Sequence, residues 1–259
     1  MDVLRAKKSL GQVFLINRDV AAAEAAHAVG KTVLEIGPGQ GILTEELCKN
    51  AKEVIAVEKD ERLCRLLEVR LGELHKNLEL LPADFMDLKD DKKLGKVDIV
   101  ISNIPYYLSS SVIEWLAQNR LEAVLCLQKE FVEHMLAKPD TRSYSKLSVM
   151  SSLLFRIVKI MNVKKGSFRP VPKVDSAIIY MQPKKVAITE REMELIGLIM
   201  QHKKKLLRNA IIDSSSSIGM DKGELEKIAD RIELKGERVF KLSPERILEV
   251  SKHLSALLE

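Results

Sequence analysis

The stretch TVLEIGPGQG, residues 32–41, joins a short apolar run to a glycine-rich turn, and helical spacing follows over residues 42–50. Glycines at a strand-to-helix turn let a ligand approach the backbone closely, near the N-terminus of the helix. A turn of this kind also occurs as a plain tight connection, and its G-x-G-x-G spacing differs from the dinucleotide fingerprint G-x-G-x-x-G. The stretch therefore indicates an α/β unit, and its neighbours decide whether it binds a ligand.

Strand and helix signals alternate around this unit from about residue 17 to residue 130. The predicted strands are 32–37, 53–58, 78–83, 97–102 and 123–127, and the predicted helices between them are 19–29, 42–50, 60–76 and 109–119. Such alternation implies crossover connections and a Rossmann-like parallel sheet with helices on both faces. Helices are also expected at 129–138 and 147–155, and two late strands, 158–163 and 177–181, predict an antiparallel edge.

The sequence changes character after Pro183. Residues 190–212 are apolar at helical spacing and rich in lysine, a serine run at 214–217 is expected to be a loop, and two short helical stretches end near Leu258. No strand signal is found in this part of the sequence. We therefore expect two domains, 1–184 and 185–259, the second small and all-helical.

Composition places few further limits on the chain. Hydrophobic residues make up 46% of it, enough for a sizeable core, and the net charge of +5 is mild. Three cysteines without metal-ligand spacing suggest free thiols in a reducing compartment, and the five histidines show no ligand spacing, so no metal is expected. There is no membrane-length apolar run and no apolar signal-peptide core, which makes a cytoplasmic protein the expectation.

Four successive predicted strands end in a glycine or a polar residue: Gly37, Glu58, Asp84 and Asn103. In open parallel sheets, ligands bind at the carboxyl ends of the strands. Glu58 is placed to accept the hydroxyls of a ribose, and Asp84 to accept from an exocyclic amino group such as that of adenine. An adenosine-like ligand is expected; NAD and S-adenosylmethionine both fit, and the G-x-G-x-G turn suits the second better.

The fourth of these strands leads into SNIPYY, residues 102–107. Pro105 cannot donate to a sheet ladder, so the strand must stop there. Asn103-Ile104-Pro105-Tyr106 resembles the N/D-P-P-Y/F motif of amino-methylating methyltransferases, in which the amide oxygen and a backbone carbonyl accept from an exocyclic NH2 group. Tyr106 can stack on the base, worth roughly 1–3 kcal/mol. A proline-terminated strand with core tyrosines is the structural alternative.

Several motifs together resemble one family over nearly the whole chain. They are KKSLGQVFLIN (7–17), EIGPGQG (35–41), Glu58, ADF (83–85), NIPY (103–106) and FRPVPKVDS (168–176). The chain is similar to the small-subunit ribosomal RNA adenine dimethyltransferases, the family of the kasugamycin-resistance methyltransferase. The segments MQHKKKLLRNAIIDSS (200–215) and VFKLS (239–243) look most like archaeal members.

The resemblance implies a class I methyltransferase that uses S-adenosylmethionine to dimethylate two adjacent adenosines at N6. Its target would be the terminal hairpin loop of small-subunit rRNA in an assembling subunit. Implied cofactor contacts are Gln12, Val13, Leu15, Gly37, Gly39, Glu58, Asp84 and Asn103. The implied catalytic set is Asn103, Pro105, Tyr106 and Phe168, in which Asn103 and Tyr106 hold the base and Phe168 stacks on its other face.

The sequence departs from the family pattern at three points, of which the mildest is Ile104 in place of the commoner Leu. Val13 stands where the family usually has Asn or His, so a contact there must use the backbone. Tyr107 stands where many members have Asn or Gln, which leaves two roles open, a second stacking ring or a ring packed in the core, and we favour the core.

Three basic clusters fit an RNA partner, although any one of them is more often a solvated face. They are Arg5, Lys7 and Lys8; Lys164, Lys165, Arg169 and Lys173; and Lys203, Lys204, Lys205 and Arg208, which we expect on one helix of the second domain. The expected partners are small-subunit rRNA and the assembling subunit, with no membrane partner, and the protein itself is expected to be a monomer.

Three alternatives remain beside this interpretation. One is a large-subunit rRNA methyltransferase of the erythromycin-resistance type. A second is a non-catalytic RNA-binding assembly factor on the same fold, which an intact set of Gly37, Glu58, Asp84 and Asn103 disfavours. The third, a dehydrogenase, is disfavoured by the G-x-G-x-G turn and by NIPY.

Overall fold

A seven-stranded mixed sheet organises the computed structural model, which describes residues 6–7 and 10–258 of the chain. The strands are β1 (Phe14–Leu15), β2 (Thr32–Ile36), β3 (Glu53–Glu58), β4 (Leu78–Pro82), β5 (Ile99–Ser102), β6 (Glu122–Gln128), β7 (Phe155–Val163), β8 (Phe168–Arg169) and β9 (Ser176–Pro183). The sheet order is β4-β3-β2-β5-β6-β9-β7; β2 to β6 are mutually parallel, and β9 runs antiparallel to β6. The predicted α/β class, parallel sheet and antiparallel edge are confirmed.

Twelve α-helices connect and follow the strands within the described residues. They are α1 (Arg18–Ala25), α2 (Ile42–Asn50), α3 (Glu61–Leu67), α4 (Phe85–Leu88), α5 (Ser109–Asn119), α6 (Lys129–Met135), α7 (Lys146–Leu154), α8 (Glu190–Gln201), α9 (Leu207–Asp213), α10 (Ser215–Ile218), α11 (Lys222–Ala229) and α12 (Pro244–Leu258). The helix predicted over 60–76 is shorter, because after Leu67 the chain continues as a π-helical turn, Glu68–Gly72.

The chain divides into two compact units. One contains the described residues through Val132 together with Ile157–Pro183, and the other contains Glu133–Arg156 and the described residues from Lys184 onward. The sequence analysis placed a single boundary after residue 184, whereas this division falls after Pro183 and places residues 133–156 with the helical unit. These residues group with the helical unit because Tyr144 is fully buried in that unit's core and donates a 2.9 Å hydrogen bond to the Leu242 carbonyl.

The helical unit corrects two sequence-based expectations. Residues 190–212 form two helices instead of one, with a turn at 202–206 between α8 and α9. In that turn, the Lys203 ammonium donates to the carbonyls of Arg142 and Tyr144. The serine run is not a loop, since Ser215–Ile218 forms α10, and Ser214 before it is buried and donates to the Ala210 carbonyl.

A two-stranded sheet, β1 with β8, was absent from the sequence-based prediction. It pairs Phe14 with Arg169 and Leu15 with Phe168, and a 2.8 Å bond from the Ile16 amide to the Ser167 carbonyl extends it. The pairing fastens the N-terminal segment to the FRPVPKVDS loop, although the two segments are far apart in the sequence. Strands of two residues carry too little periodicity to be seen in a sequence.

The glycine-rich turn after β2 requires its glycines. Gly37, Gly39 and Gly41 have φ angles of +70°, +59° and +81°, in the left-handed region that other L-residues rarely adopt. At Gly39, a Cβ atom would also lie 2.9 Å from Cδ1 of Phe14, closer than such contacts occur. The turn thus lets the β1 segment approach the end of β2.

We expect Gly39→Ala to destabilise the protein more than Gly30→Ala. Gly30 has a similar φ of +71° but open space around its missing Cβ, so it isolates the backbone strain of about 1–2 kcal/mol. Gly39→Ala should add the overpacking against Phe14, roughly a further 1–3 kcal/mol. Urea unfolding of both variants measures the difference; equal losses of stability would show that Phe14 moves aside freely.

Candidate functional site

One pocket lies at the carboxyl ends of the parallel strands of the first unit. Gly37, Glu58, Asp84 and Asn103, the four predicted strand-end residues, all line it. The other predicted site residues line the same pocket: Gln12, Val13, Leu15, Gly39, Pro105, Tyr106 and Phe168. Parallel order brings these residues together, because β4, β3, β2 and β5 are neighbours and end on the same edge. Their individual roles stay predictions.

Glu58 is buried at the end of β3 and joins two turns. Its Oε2 accepts from the Gly39 amide at 3.2 Å, and its Oε1 accepts from the Asp60 amide at 2.8 Å. Burial raises the pKa of Glu58, and the hydrogen bonds from the Asp60 and Gly39 amides oppose that shift. Each carboxylate oxygen can accept more than one bond, so the group keeps acceptor capacity toward the pocket.

Asp84 ends the β4 segment and begins α4. Its Oδ1 accepts from the Met86 amide at 3.0 Å, and its Oδ2 contacts the Lys59 ammonium at 2.5 Å. The bond from Lys59 holds the pKa of Asp84 below its usual value. Asp84 is therefore an ionised hydrogen-bond acceptor at the pocket. One of its oxygens already binds Lys59, a residue that the sequence analysis did not identify.

Asp60 anchors the N-terminal segment to the pocket. Its buried carboxylate accepts from Gln12 Nε2 at 3.0 Å and from the Lys7 ammonium at 3.4 Å, while Arg62 binds it from α3. Gln12 was predicted as a cofactor contact, but both ends of its side-chain amide form hydrogen bonds within the protein: Nε2 donates to Asp60, and Oε1 accepts from the Lys7 backbone amide.

Of the first basic cluster, Arg5 and Lys8 lie outside the described residues.

Asn103 and Tyr106 are each held by a buried polar side chain. Asn103 Nδ2 donates to Glu24 Oε2 on α1 at 3.0 Å, and Asn103 Oδ1 is buried without a hydrogen-bond partner among the described residues. The Tyr106 hydroxyl lies 3.0 Å from Ser176 Oγ on β9. Glu24 was not identified from the sequence, because one glutamate in an alanine-rich helix looks like a surface residue.

Two aromatic side chains differ in their surroundings. Phe168 is 3% exposed and packs in the core of the first unit. It also lines the pocket, so a target base can contact its ring only from the pocket side. Tyr107 was expected in the core, and this is wrong: it is 62% exposed. Its ring lies over Gly11, where a Cβ would be 3.6 Å from Tyr107 Cδ1.

Glu35 is a further pocket residue that the site prediction missed. It is buried in β2, its Oε2 has no hydrogen-bond partner in the part of the chain that the structure describes, and burial raises its pKa to about 8. Glu24 and Glu58 oppose its ionisation further. The signal was present in the sequence, as a charged residue inside an otherwise apolar strand directly before the glycine turn.

The third basic cluster does not lie on one helix. Lys203, Lys204 and Lys205 occupy the turn after α8, and Arg208 lies on α9. Three of the four cations are bound internally: Lys203 by carbonyls, Lys205 by Asp213 at 2.5 Å, and Arg208 by Asp230 and Glu226. Among the described residues, Lys204 is the member of this cluster with no such partner.

No helix within residues 6–7 and 10–258 is both long and apolar enough to cross a membrane. In the part of the chain that the structure describes, no group of three His, Cys, Asp or Glu side chains is arranged to hold a metal ion.

The sheet order, the glycine turn and the polar residues at or just after the ends of β3, β4 and β5 define a class I methyltransferase. In this class the cofactor binds at the carboxyl edge of the parallel strands.

Comparison with known sequences identifies the family. The family described as ribosomal RNA adenine dimethylase matches residues 3–255, and the chain belongs to it. A probable ribosomal RNA small subunit methyltransferase A of Thermococcus sibiricus is 38% identical over 259 residues, covering 97% of this chain and 93% of the relative. The protein of the same name from Pyrococcus furiosus is 36% identical over 256 residues, with 96% and 92% covered.

Solved structures agree with this assignment. A dimethyladenosine transferase from Plasmodium falciparum superposes with a TM-score of 0.78 at 28% identity, covering 93% of this chain and 98% of that one. The 23S rRNA methyltransferase ErmE gives a TM-score of 0.62 at 25% identity, with 93% and 99% covered.

Glu35 should make the stability of the protein depend on pH. The pKa is about 8 in the folded protein against 4.5 for an ordinary glutamate, so the folded state binds the proton more tightly. The contribution of Glu35 to the free energy of unfolding is therefore fully present below pH 4.5, and it is lost as the pH rises toward about 8.

Glu35→Gln should reduce this fall, measured as the difference in unfolding free energy between pH 5.5 and pH 8.5. Part of the fall remains, because the pKa of Glu24 is also raised to about 8. The control is Glu53→Gln at the exposed start of the neighbouring strand β3, which should leave the wild-type fall intact. An unchanged pH dependence in Glu35→Gln would contradict the assignment.

Proposed function

We propose that this protein uses S-adenosylmethionine to dimethylate two adjacent adenosines at N6 in the terminal hairpin loop of small-subunit rRNA, in an assembling subunit. The observation that carries the proposal is the family match over residues 3–255, joined to a pocket in which Asn103 and Tyr106 lie beside the glycine turn. Archaeal relatives named as small subunit methyltransferases favour the small subunit over the large one.

The residues present fit this cofactor. Glu58 supplies carboxylate oxygens for the ribose hydroxyls, and Asp84 supplies an ionised acceptor for the adenine amino group. Oε2 of Glu35, which has no hydrogen-bond partner among the described residues, fits the ammonium group of the methionine part, since a buried carboxylate oxygen gains most from a cation. When bound, the cofactor supplies an electrophilic methyl group on a sulfonium.

Asn103 prepares the target nitrogen. The lone pair of adenine N6 is delocalised into the ring, so the amino group is a poor nucleophile. Acceptors that hold its N–H bonds favour a pyramidal nitrogen, and Asn103 Oδ1, buried without a partner, is such an acceptor. No strong general base is needed for the attack, because the amino group is neutral. Pro105 ends the strand, so that Asn103 and Tyr106 face the pocket from a rigid turn.

Dimethylation adds a constraint. After the first transfer N6 keeps a single N–H, so only one acceptor can still be satisfied. The second transfer must then depend more on the fit of the base between Tyr106 and Phe168. A base in a hairpin loop is easier to extrude than one in a duplex, because less stacking is lost.

The two units have separate parts in this proposal. The first unit carries the pocket, and the helical unit contacts the rRNA. The enzyme works as a monomer in the cytoplasm, where small subunits assemble.

The proposal is tested by incubating the protein with labelled S-adenosylmethionine and small subunits that lack the modification, and in parallel with unmodified large subunits. Mass spectrometry of the digested RNA should find N6,N6-dimethyladenosine in the small-subunit hairpin loop. Label in large-subunit RNA would instead support the erythromycin-resistance type. Binding of both partners without any transfer would support a non-catalytic assembly factor.

Glu58→Ala should weaken S-adenosylmethionine binding by more than tenfold, because hydrogen bonds to a charged group contribute about 1.5–3 kcal/mol. It should also lower the melting temperature, since Glu58 accepts from the Gly39 and Asp60 amides. Glu53→Ala changes the same residue type at the exposed beginning of the same strand and should do neither. Calorimetric affinity within twofold of the wild type for Glu58→Ala would refute the ribose contact.

Lys204→Ala should reduce the salt dependence of rRNA binding, because Lys204 is the cation of the third cluster to which the described residues give no partner, unlike Lys203, Lys205 and Arg208. Loss of one phosphate contact should lower the slope of log affinity against log salt by roughly 0.7–0.9. Lys227→Ala removes an exposed charge from α11 and is the matched control. Equal slopes for Lys204→Ala and the wild type would show that Lys204 faces solvent in the complex.

A further inference from the structure

The buried carboxyl group of Glu24 has no evident structural purpose. Glu24 is 0% exposed on the inner face of α1, beside the apolar positions Val20, Ala21 and Ala25. Asn103 is the partner that the structure gives to one of its oxygens, and Oε1 has none among the described residues. A buried carboxyl with a single partner destabilises a fold relative to an apolar side chain of the same size. Because Asn103 is the residue that Glu24 binds, we expect the role of Glu24 to lie in what it does to the Asn103 side chain.

The two ends of the Asn103 amide are chemically different. Only Oδ1 can accept from a substrate amino group, whereas Nδ2 would oppose it donor to donor. In the observed orientation Nδ2 donates to Glu24 at 3.0 Å, which leaves Oδ1 as the unpaired end. When Glu24 is ionised, the flipped amide would set Oδ1 against a carboxylate oxygen, acceptor to acceptor, so the carboxylate favours the orientation that presents Oδ1 to the pocket. When Glu24 is protonated, its hydroxyl is a donor that tolerates the flipped amide, so this selection strengthens as the pH rises toward the Glu24 pKa of about 8.

We propose that Glu24 is a positioning residue for methyl transfer: it holds the Asn103 amide with Oδ1 available to the amino group of the target adenine. The proposal rests on the proposed function, in which Asn103 accepts from N6. Glu24 itself touches neither substrate nor cofactor, and it acts through one hydrogen bond from the opposite side of Asn103.

The surroundings of Glu24 favour this role over a general base. Burial raises its pKa to about 8, and Glu35 on β2 and Cys126 on β6 interact with it electrostatically. Both neighbours are acidic groups, so no cation among these partners favours its ionisation. It does not line the pocket, and Asn103 lies between it and the site of transfer.

Two variants of matched size separate orientation from packing. Glu24→Met fills the same space without an acceptor, and Glu24→Gln keeps one acceptor oxygen but also offers a donor that tolerates the flipped amide. Single-turnover transfer to unmodified small subunits should fall by on the order of tenfold or more in Glu24→Met and less in Glu24→Gln. S-adenosylmethionine affinity should stay within about threefold of the wild type, because Glu58 and Asp84 are untouched.

The melting temperature distinguishes positioning from a structural role. Glu24→Met removes a buried carboxyl and should melt no lower than the wild type. The control is Val20→Ala, at a buried position one turn earlier on α1, which should lower the melting temperature while keeping the transfer rate.

Wild-type transfer rates in both Glu24 variants would overturn the inference, and so would a loss of rate matched by a loss of melting temperature, as for a packing residue. If Glu24→Met fails to fold, Glu24→Gln alone decides between these outcomes by its rate and melting temperature. A wild-type protein that transfers no methyl group to any rRNA would defeat the proposed function itself. That result is distinct from an active wild type with active Glu24 variants, which would defeat only the role of Glu24.

Discussion

The carboxylate of Glu58 joins the two turns on which the shape of the pocket depends. Through its two oxygens it accepts from the Gly39 amide, in the turn after β2, and from the Asp60 amide, before α3. Asp60 in turn binds Gln12 of the N-terminal segment, whose β1 strand pairs with β8. One buried carboxyl group at the end of β3 is therefore connected to both walls of the pocket, and its two backbone hydrogen bonds oppose the rise in pKa that burial causes.

Two buried glutamates of the first unit, Glu24 and Glu35, each have one oxygen without a hydrogen-bond partner among the described residues. Burial of such a carboxyl group weakens the fold, and it raises the pKa of both side chains. Such groups are stabilised when a cation or a donor arrives, so binding and folding stability become linked. The proposed cofactor carries a sulfonium and an ammonium group, and the proposed substrate presents amino hydrogens. Of the two glutamates, Glu35 lines the pocket, so the ammonium group of the proposed cofactor would recover part of this loss of stability.

The sequence predicted those parts of the structure that follow from the hydrophobic periodicity of each segment and from the order of the strands along the chain. Parallel strands end on one edge, so Gly37, Glu58, Asp84 and Asn103 could be placed together before any coordinates. The pairing of β1 with β8 could not, because two residues show no period and the contact joins distant segments. Nor could Glu24 be recognised, since the inward direction of one side chain on a short helix depends on the helix's rotation against the sheet.

The lysine run of the helical unit shows why a charge pattern is a weak guide to a binding surface. Lys203 binds carbonyls of Arg142 and Tyr144, and therefore holds residues 133–156 to the turn after α8. Lys205 and Arg208 are each paired with carboxylates, which cancels much of their field at a distance. The sequence shows four adjacent or nearby cations, whereas the fold uses three of them as structural donors. An electrostatic argument for RNA binding must therefore start from the cations that folding leaves unpaired, not from their number in the sequence.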